Sequence, residues 1–525
     1  MIAKVKSFGI SGIDGFVVDV EVDVNNKSLP AYTLVGLPDA SVKESRERVA
    51  SAIRNSGHNF PIGRVVINLA PADQRKEGAL YDLPIALGIL AAAGTICTDE
   101  LPPSETPAND INDFAFIGEL SLDGEIRRVN GVLPILLTAA QLGIKKVIIP
   151  AGNADEASFV EGVTTYTAST LSEVINFFTD NGTALTKVEP RAFDQLKNET
   201  AYAVDLKYVK GQFVAKRALE IAAAGGHNIL LIGPPGSGKT MLAKCFPTIL
   251  PDLTFAESIE TTKIHSIAGI LDPTAGIITN RPFRAPHHTA SLIALAGGGN
   301  RAKPGEISLA HNGVLFLDEA PEYPRACLEL LRQPLEDGRI TVARANTTVD
   351  YPANFTLIAS MNPCPCGYFG SRTKKCTCKP LAVQKYLNKL SGPLMDRIDL
   401  QIEVDSVTYN DLTAEGYGEC SADVKTRVDA ARALQLARFQ SLGSPANIFA
   451  NSKMSQQQTK KICKLDPASA AILADAFEKL QLSARAYTRI LRTARTIADL
   501  DAAPQITAAH ITEAIGYRTL DRKYK

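Results

Sequence analysis

The sequence predicts an α/β protein: a parallel-sheet core built around a phosphate loop, followed by a helical lid and preceded by an α+β domain. Three observations lead there. Residues 227–240 read HNILLIGPPGSGKT, in which an apolar strand runs into a glycine- and proline-rich turn and then a helix. A second apolar strand, 314–317, stops at Asp318-Glu319. Before residue 180 period-two and period-3.6 segments alternate, whereas after residue 422 only helical spacing is found. A length of 525 residues accommodates about three domains at roughly 150 residues each; the predicted boundaries are 1–180, a linker 181–200, a core 201–405 and a lid 406–525.

Charged residues make up 21% and hydrophobic ones 45%, the balance of a globular protein, and 56 basic side chains offset 56 acidic ones. Bulk charge therefore gives no argument for a nucleic-acid partner, which would need local basic loops. The longest apolar run, 83–97, is too short and glycine-rich for a membrane span. The opening residues lack an apolar signal core, and four of the nine cysteines crowd into 364–378. A reducing, cytoplasmic setting without membrane contact is expected.

In the first domain, residues 1–28 alternate as antiparallel strands, 40–55 follow helical spacing with Val42, Val49 and Ile53 inward, 65–69 form a strand and 83–93 a buried helix. The acidic, proline-bearing 98–113 reads as an exposed loop, followed by a strand at 116–122, a helix at 131–142 and a strand at 146–150. The polar stretch 179–200 shows no sustained period. A helix at 212–223 then leads into the phosphate loop and places Tyr208 or Val209 toward the nucleotide base.

In G-x-x-x-x-G-K-[ST], Gly233 and Gly238 clear space for phosphates, Pro234 and Pro235 shape the turn, and the backbone N–H groups of Gly236, Ser237 and the following turn, through Met241, surround the phosphates from a helix N-terminus. Lys239 would neutralise the β/γ-phosphates of ATP and the Thr240 hydroxyl would hold Mg²⁺. At the second strand's end Asp318 would complete the Mg²⁺ shell and Glu319 polarise the attacking water. Asn362, after a strand at 355–359, can orient that water.

Between the signatures, 297–305 is a glycine loop bearing Arg301 and Lys303, either a solvated loop or a pair of cations for a ring channel; the hairpin at 338–352 carries Arg344 near its tip. His287 and His288 are adjacent and so face different ways, a poor metal pair. Cys364, Cys366, Cys376 and Cys378 form two C-x-C pairs that can make a tetrahedral Zn²⁺ site, with free or redox-active thiols as alternatives because the usual spacing is C-x-x-C. Lys374 and Lys375 between them suit phosphate backbones. Arg397, flanked by Asp396 and Asp399, reads as a local ion pair or as an arginine finger for a neighbouring subunit. In the last long helix, 482–501, Tyr487, Ile490, Leu491, Ala494 and Ile497 are expected inward, and Arg485 and Arg489 either fold over the nucleotide as a sensing lid or form a basic face.

Two resemblances add to this reading. Residues 118–150 and 75–87 resemble the proteolytic domain of Lon-type proteases, but Leu80 stands where the serine belongs and Leu133 or Ile135 where the lysine belongs, so the fold is expected without the protease. GPPGSGKT, FRAPHHTAS, PGEISLAHNGVLFLDEAPE, SMNPCPCGY, SGPLMDRIDL and LSARAYTRILRTARTIADL resemble the magnesium-chelatase-like branch of the AAA+ ATPases, specifically the ComM/YifB family, over nearly the whole chain. The resemblance implies a P-loop AAA+ core with a helical lid behind a Lon-like domain. It gives Lys239, Asp318, Glu319, Asn362 and Arg485 the roles above and matches Arg397 to the finger position. It implies a homohexameric DNA helicase for branch migration in natural transformation and homologous recombination, its DNA gripped by Arg301, Lys303 and Arg344. The alternative it leaves is a chelatase-type chaperone that remodels a protein partner.

Overall fold

The computed structural model describes residues 2–96, 109–179, 184–196, 202–299, 302–344, 347–370, 374–406, 418–443 and 449–520. Most of the loop expected at 98–113 lies outside these residues, as does Arg301. The chain divides into two compact units, one formed by 1–199 with 254–279 and 300–303, the other by 200–253, 280–299 and 304–525.

The first unit is an eight-stranded mixed sheet covered by helices. Its long strands Ile2–Ser11 and Asp14–Asn25 pair antiparallel in full register, and Arg64–Ala70 continues the antiparallel run. The helical period at 40–55 is interrupted at Glu44 into Ala40–Lys43, capped by Asp39, and Ser45–Asn55. The helix Asp82–Ala92 is buried along its whole length, which accounts for an apolar run with no polar face. Leu80, Leu133 and Ile135 all lie in this core, so the positions a protease would use for its dyad are packed with hydrocarbon. The stretch read as a linker contributes a further strand, Thr186–Lys187, paired to Tyr166 and Thr167.

The helix Phe255–Ala268 belongs to this first unit rather than to the core predicted at 201–405. Its Ser266 hydroxyl bonds the buried Glu156 carboxylate and accepts the Gly131 N–H at 3.0 Å, and Ile259 packs on the first core. Such pairings are invisible to a local reading, since more than a hundred residues separate the partners.

The second unit is a five-stranded parallel sheet in the order Phe283–Arg284, Val314–Leu317, Thr356–Met361, Ile229–Ile232, Leu400–Glu403. The phosphate-loop strand is internal, fourth of the five, with parallel partners on both sides and all four residues buried. Such strands read as unbroken apolar runs because helices cover both faces. The predicted lid shares one hydrophobic cluster with this sheet: Ala218 and Leu219 before the phosphate loop join Val428, Ala431, Ile490, Ala494 and Ile497. Ser483 caps the helix Ala484–Leu500, whose buried residues recur at helical spacing. Tyr487, expected inward, keeps the stripe's spacing but stands in the helix's first turn, where it lies 41% exposed against the Phe477 ring.

Candidate nucleotide site

Register assembles the site at the carboxyl edge of the sheet. Ile232 pairs with Met361 and Leu317 with Ala359, so Gly233 comes level with Asn362, and Asp318 with Ser360. Ligand sites in open parallel sheets form at this edge. Gly238 adopts φ 87°, a left-handed conformation that turns the chain into the helix Lys239–Cys245 and that a side chain would strain.

The Lys239 ammonium is buried and donates to the Gly233 and Pro234 carbonyls at 2.7 and 2.9 Å and to Asn362 Oδ1 at 3.4 Å. Burial lowers its pKa, and Asp318 and Glu319 partly offset that loss. Three groups predicted from separate motifs thus meet around one amine. The Thr240 hydroxyl donates to Asp318 Oδ2 at 2.9 Å, so the two oxygens expected on Mg²⁺ already face each other. This hard-oxygen pair beside a lysine and a helix N-terminus fits a magnesium-bound triphosphate. Glu319 takes φ 50°, costing on the order of 1 kcal/mol for a residue with a Cβ; its N–H is held by Ser360 Oγ at 3.2 Å and Asp318 Oδ1 at 3.1 Å.

Arg485 and Arg489 are not part of this assembly. They line a cavity of about 350 Å³ with Asn228, Glu336, Arg397, Asp399, Lys453 and Arg492, at the amino edge of the same sheet. Asn228 precedes the phosphate-loop strand and Gly233 follows it, a rise of roughly 16 Å at 3.3 Å per residue. The expected lid over the chain's own nucleotide is therefore corrected: the helix Ala484–Leu500 packs its arginines against the opposite edge. Arg489 is spent on the Asp399 carboxylate and the Arg397 carbonyl. The Arg485 side chain is 61% exposed, 3.8 Å from Asp396.

Arg397, expected as a projecting finger, is 5% exposed. Its guanidinium donates to the Pro393 carbonyl at 2.7 Å and pairs with Glu336 at 2.5 Å. The local ion pairs read from sequence belong to its neighbours, Asp396 with Arg485 and Asp399 with Arg489.

Among the cations expected on DNA, Lys303 is exposed and Arg344 ends the hairpin strand Arg339–Arg344, whose tip and Arg344 side chain fall outside the described residues. Lys374 stacks over the Tyr368 ring at 4.5 Å, and Lys375 is exposed beside it. His287 and His288, expected to face different ways, instead bring their ring centres to 4.1 Å, because they lie in a turn where neither helix nor strand alternation applies. Among the described residues the metal-capable group is Cys364, Cys366, Cys376 and Cys378, whose sulfurs lie within 4.8 Å of one another.

Three contributors escaped the sequence reading. Ser360, two residues before Asn362 and hence on the same strand face, bonds the Asp318 carboxylate, and strand alternation could have shown it. Gln212 reaches the Ser237 carbonyl at 3.2 Å and the Asp405 carbonyl at 2.7 Å, fastening the segment after Val209 to the phosphate loop. Glu336, which clamps Arg397, sits 61 residues upstream with no local signal.

Comparison with known proteins agrees with this geometry. The family profile described as magnesium chelatase, subunit ChlI, matches residues 205–412, a second ChlI profile matches 20–153, and the ChlI C-terminal profile matches 418–518. Competence protein ComM of Haemophilus influenzae is 44% identical over 522 residues, 99% of this chain and 98% of that one. YifB of Escherichia coli is 43% identical over 512 residues, 97% and 96% of the two chains. The magnesium-chelatase 38 kDa subunit of Rhodobacter capsulatus is 24% identical over 200 residues, 34% of this chain and 55% of that one. No helix among the described residues is long and apolar enough to cross a membrane. A phosphate loop, an Asp-Glu strand end and an asparagine strand end converging on one edge, in a chain matched end to end by ComM and YifB, make this protein a member of the ComM/YifB family of magnesium-chelatase-like AAA+ proteins.

Proposed function

We propose that the protein is an ATP-driven motor that works as a homohexameric ring on DNA in the cytoplasm, moving branched or single strands during natural transformation and homologous recombination. The observation that carries the ATPase part is the convergence of Lys239, Thr240, Asp318 and Asn362 at one sheet edge. Lys239 and the loop amides bind the triphosphate, Thr240 and Asp318 hold Mg²⁺, which shields the phosphate charge, and Glu319 with Asn362 orients the attacking water.

The position of Arg485 supports the ring reading. The exposed Arg485 lies at the amino edge, too far to serve its own nucleotide, and a head-to-tail neighbour would bring it to the γ-phosphate. Arg397 stands behind it, released from Glu336 when phosphate oxygens replace that carboxylate. The DNA part is supported by the ComM relative, a competence protein, and by the exposed Lys303, Lys374 and Lys375, with Arg301 and Arg344 from the sequence.

The test is ATP hydrolysis with and without branched DNA across a salt series, together with strand exchange. Stimulation should weaken with salt, log affinity for single strands falling by about 0.7 per phosphate contact for each decade. Stimulation by a protein fraction and none by DNA would favour the chaperone reading, which the likeness to a magnesium-chelatase subunit supports.

A further inference from the structure

We propose that Cys364, Cys366, Cys376 and Cys378 bind one zinc ion, and that this ion braces Asn362 and the phosphate loop, so that its occupancy sets the rate of hydrolysis and leaves nucleotide affinity unchanged. The second half rests on the ATPase reading above. The first half rests on the sulfurs alone.

The Cys364 sulfur lies 3.3 Å from that of Cys366 and 3.6 Å from that of Cys376, and Cys366 and Cys376 are 3.6 Å apart. A Zn–S bond of about 2.3 Å puts tetrahedral sulfurs about 3.8 Å apart, so these three need only a few tenths of an ångström of expansion, and the Cys378 sulfur lies within 4.8 Å of each of them. Backbone N–H groups face every sulfur: Phe369 donates to Cys364 at 3.3 Å, Cys378 to Cys376 at 3.4 Å, Tyr368 and Thr377 to Cys366, and Cys366 to Cys378. Amides aimed at thiolates are the outer contacts that stabilise a metal-bound charge. The loop also needs a fastener, since between 364 and 378 the buried positions among the described residues are Cys364 and Gly367 alone. A segment with so little core gains order from metal binding.

The connection to the nucleotide site is short and stiff. Only Pro363 separates Asn362 from Cys364, and Pro365 follows, two residues with φ fixed near −65°. The loop's far end enters the helix Pro380–Leu387, whose Tyr386 hydroxyl accepts the Asn362 N–H. A Cβ added to Gly367 would meet Pro235 Cδ at 2.5 Å, so the loop backbone rests directly on the phosphate loop. Zinc therefore ties both approaches to Asn362 together and presses the closed loop against Pro235.

The experiment uses full-length protein purified without chelator. Metal analysis should give one zinc per chain, and a stoichiometry near zero, with either free thiols or disulfides, overturns the site. Removing the metal with a chelator should lower kcat by about 10²-fold, the effect of an ångström-scale displacement of a positioning group, while a fluorescent ATP analogue binds as before. Added zinc should restore the rate. Unchanged kcat in zinc-free protein, or nucleotide binding lost together with hydrolysis, overturns the brace. Gly367→Ala should keep its zinc and still slow hydrolysis; loss of zinc in that variant, or full activity, counts against the contact with Pro235. Paired Cys376→Ser and Cys378→Ser substitutions should abolish zinc binding, with the melting temperature reporting whether the chain still folds. If zinc-replete wild-type protein hydrolyses no ATP under any condition, the ATPase reading fails while one zinc per chain still stands.

Discussion

The two edges of the five-stranded sheet hold their positive charges among different partners. At the carboxyl edge the Lys239 ammonium is held by neutral oxygens, the Gly233 and Pro234 carbonyls and the Asn362 amide, so its charge is left uncancelled for a phosphate. At the amino edge Arg489 meets Asp399 and Arg397 meets Glu336, while Arg492 beside them donates to the Ser452 and Met454 carbonyls and to Thr459 Oγ1. Desolvation makes an unpaired buried charge costly, and the two edges answer that differently. The carboxyl edge leaves its lysine to an anionic ligand from solution, whereas the amino edge ties two of its arginines to carboxylates that an anion would have to displace.

Substitutions should separate the edges. Lys239→Ala removes a cation from the transferring phosphate and should cut hydrolysis by more than about 10³-fold, with weakened binding of a fluorescent ATP analogue. Glu319→Gln should stop turnover just as fully and leave that binding intact; full turnover in either variant removes the carboxyl edge from the account. Arg485→Ala should lower kcat by about 10³-fold or more, as loss of a finger does, with ATP binding unchanged. A loss of binding instead would mean that this arginine serves its own nucleotide.

A smaller effect concerns acid. Burial alone would raise the Asp399 carboxyl, but the Arg489 guanidinium, the His227 ring and the Asn228 amide outweigh it and hold it well below the usual carboxylate range. Its folded pKa is depressed, so the stability it contributes is present above the unfolded value of about 3.9 and drains away as pH falls below it. Thermal melting of wild type should therefore drop steeply on that limb. Asp399→Asn should be less stable at neutral pH and show a flatter acid limb, and parallel acid limbs for the two proteins would contradict the assignment.

The same two edges explain what could be read in the sequence. The phosphate loop lies within one continuous stretch, and strand, turn and helix appear there in the order the chemistry needs. The Asp-Glu and Asn362 strand ends were legible because parallel strands finish at a common edge. The arginine cavity was not, for it gathers residues 228, 336, 397, 453 and 485, brought together by packing of the helix Ala484–Leu500 onto Asp399. Helical period placed Ile490 and Ile497 in the core and gave no clue to which sheet edge the arginines would meet. In the first unit, strand alternation exposed the long antiparallel pair, while the docking of Phe255–Ala268 through Ser266 and Glu156 spans 110 residues and leaves no local trace.

The claim that one hydrolytic centre is built from the carboxyl edge of one copy and the amino edge of the next is tested most directly by mixing two dead variants. Lys239→Ala chains keep Arg485, and Arg485→Ala chains keep the phosphate loop. Equimolar co-assembly should recover roughly a quarter of wild-type hydrolysis, the share of junctions that pair two intact edges in a randomly assorted head-to-tail ring. A mixture that assembles yet stays as inactive as either variant alone would contradict it.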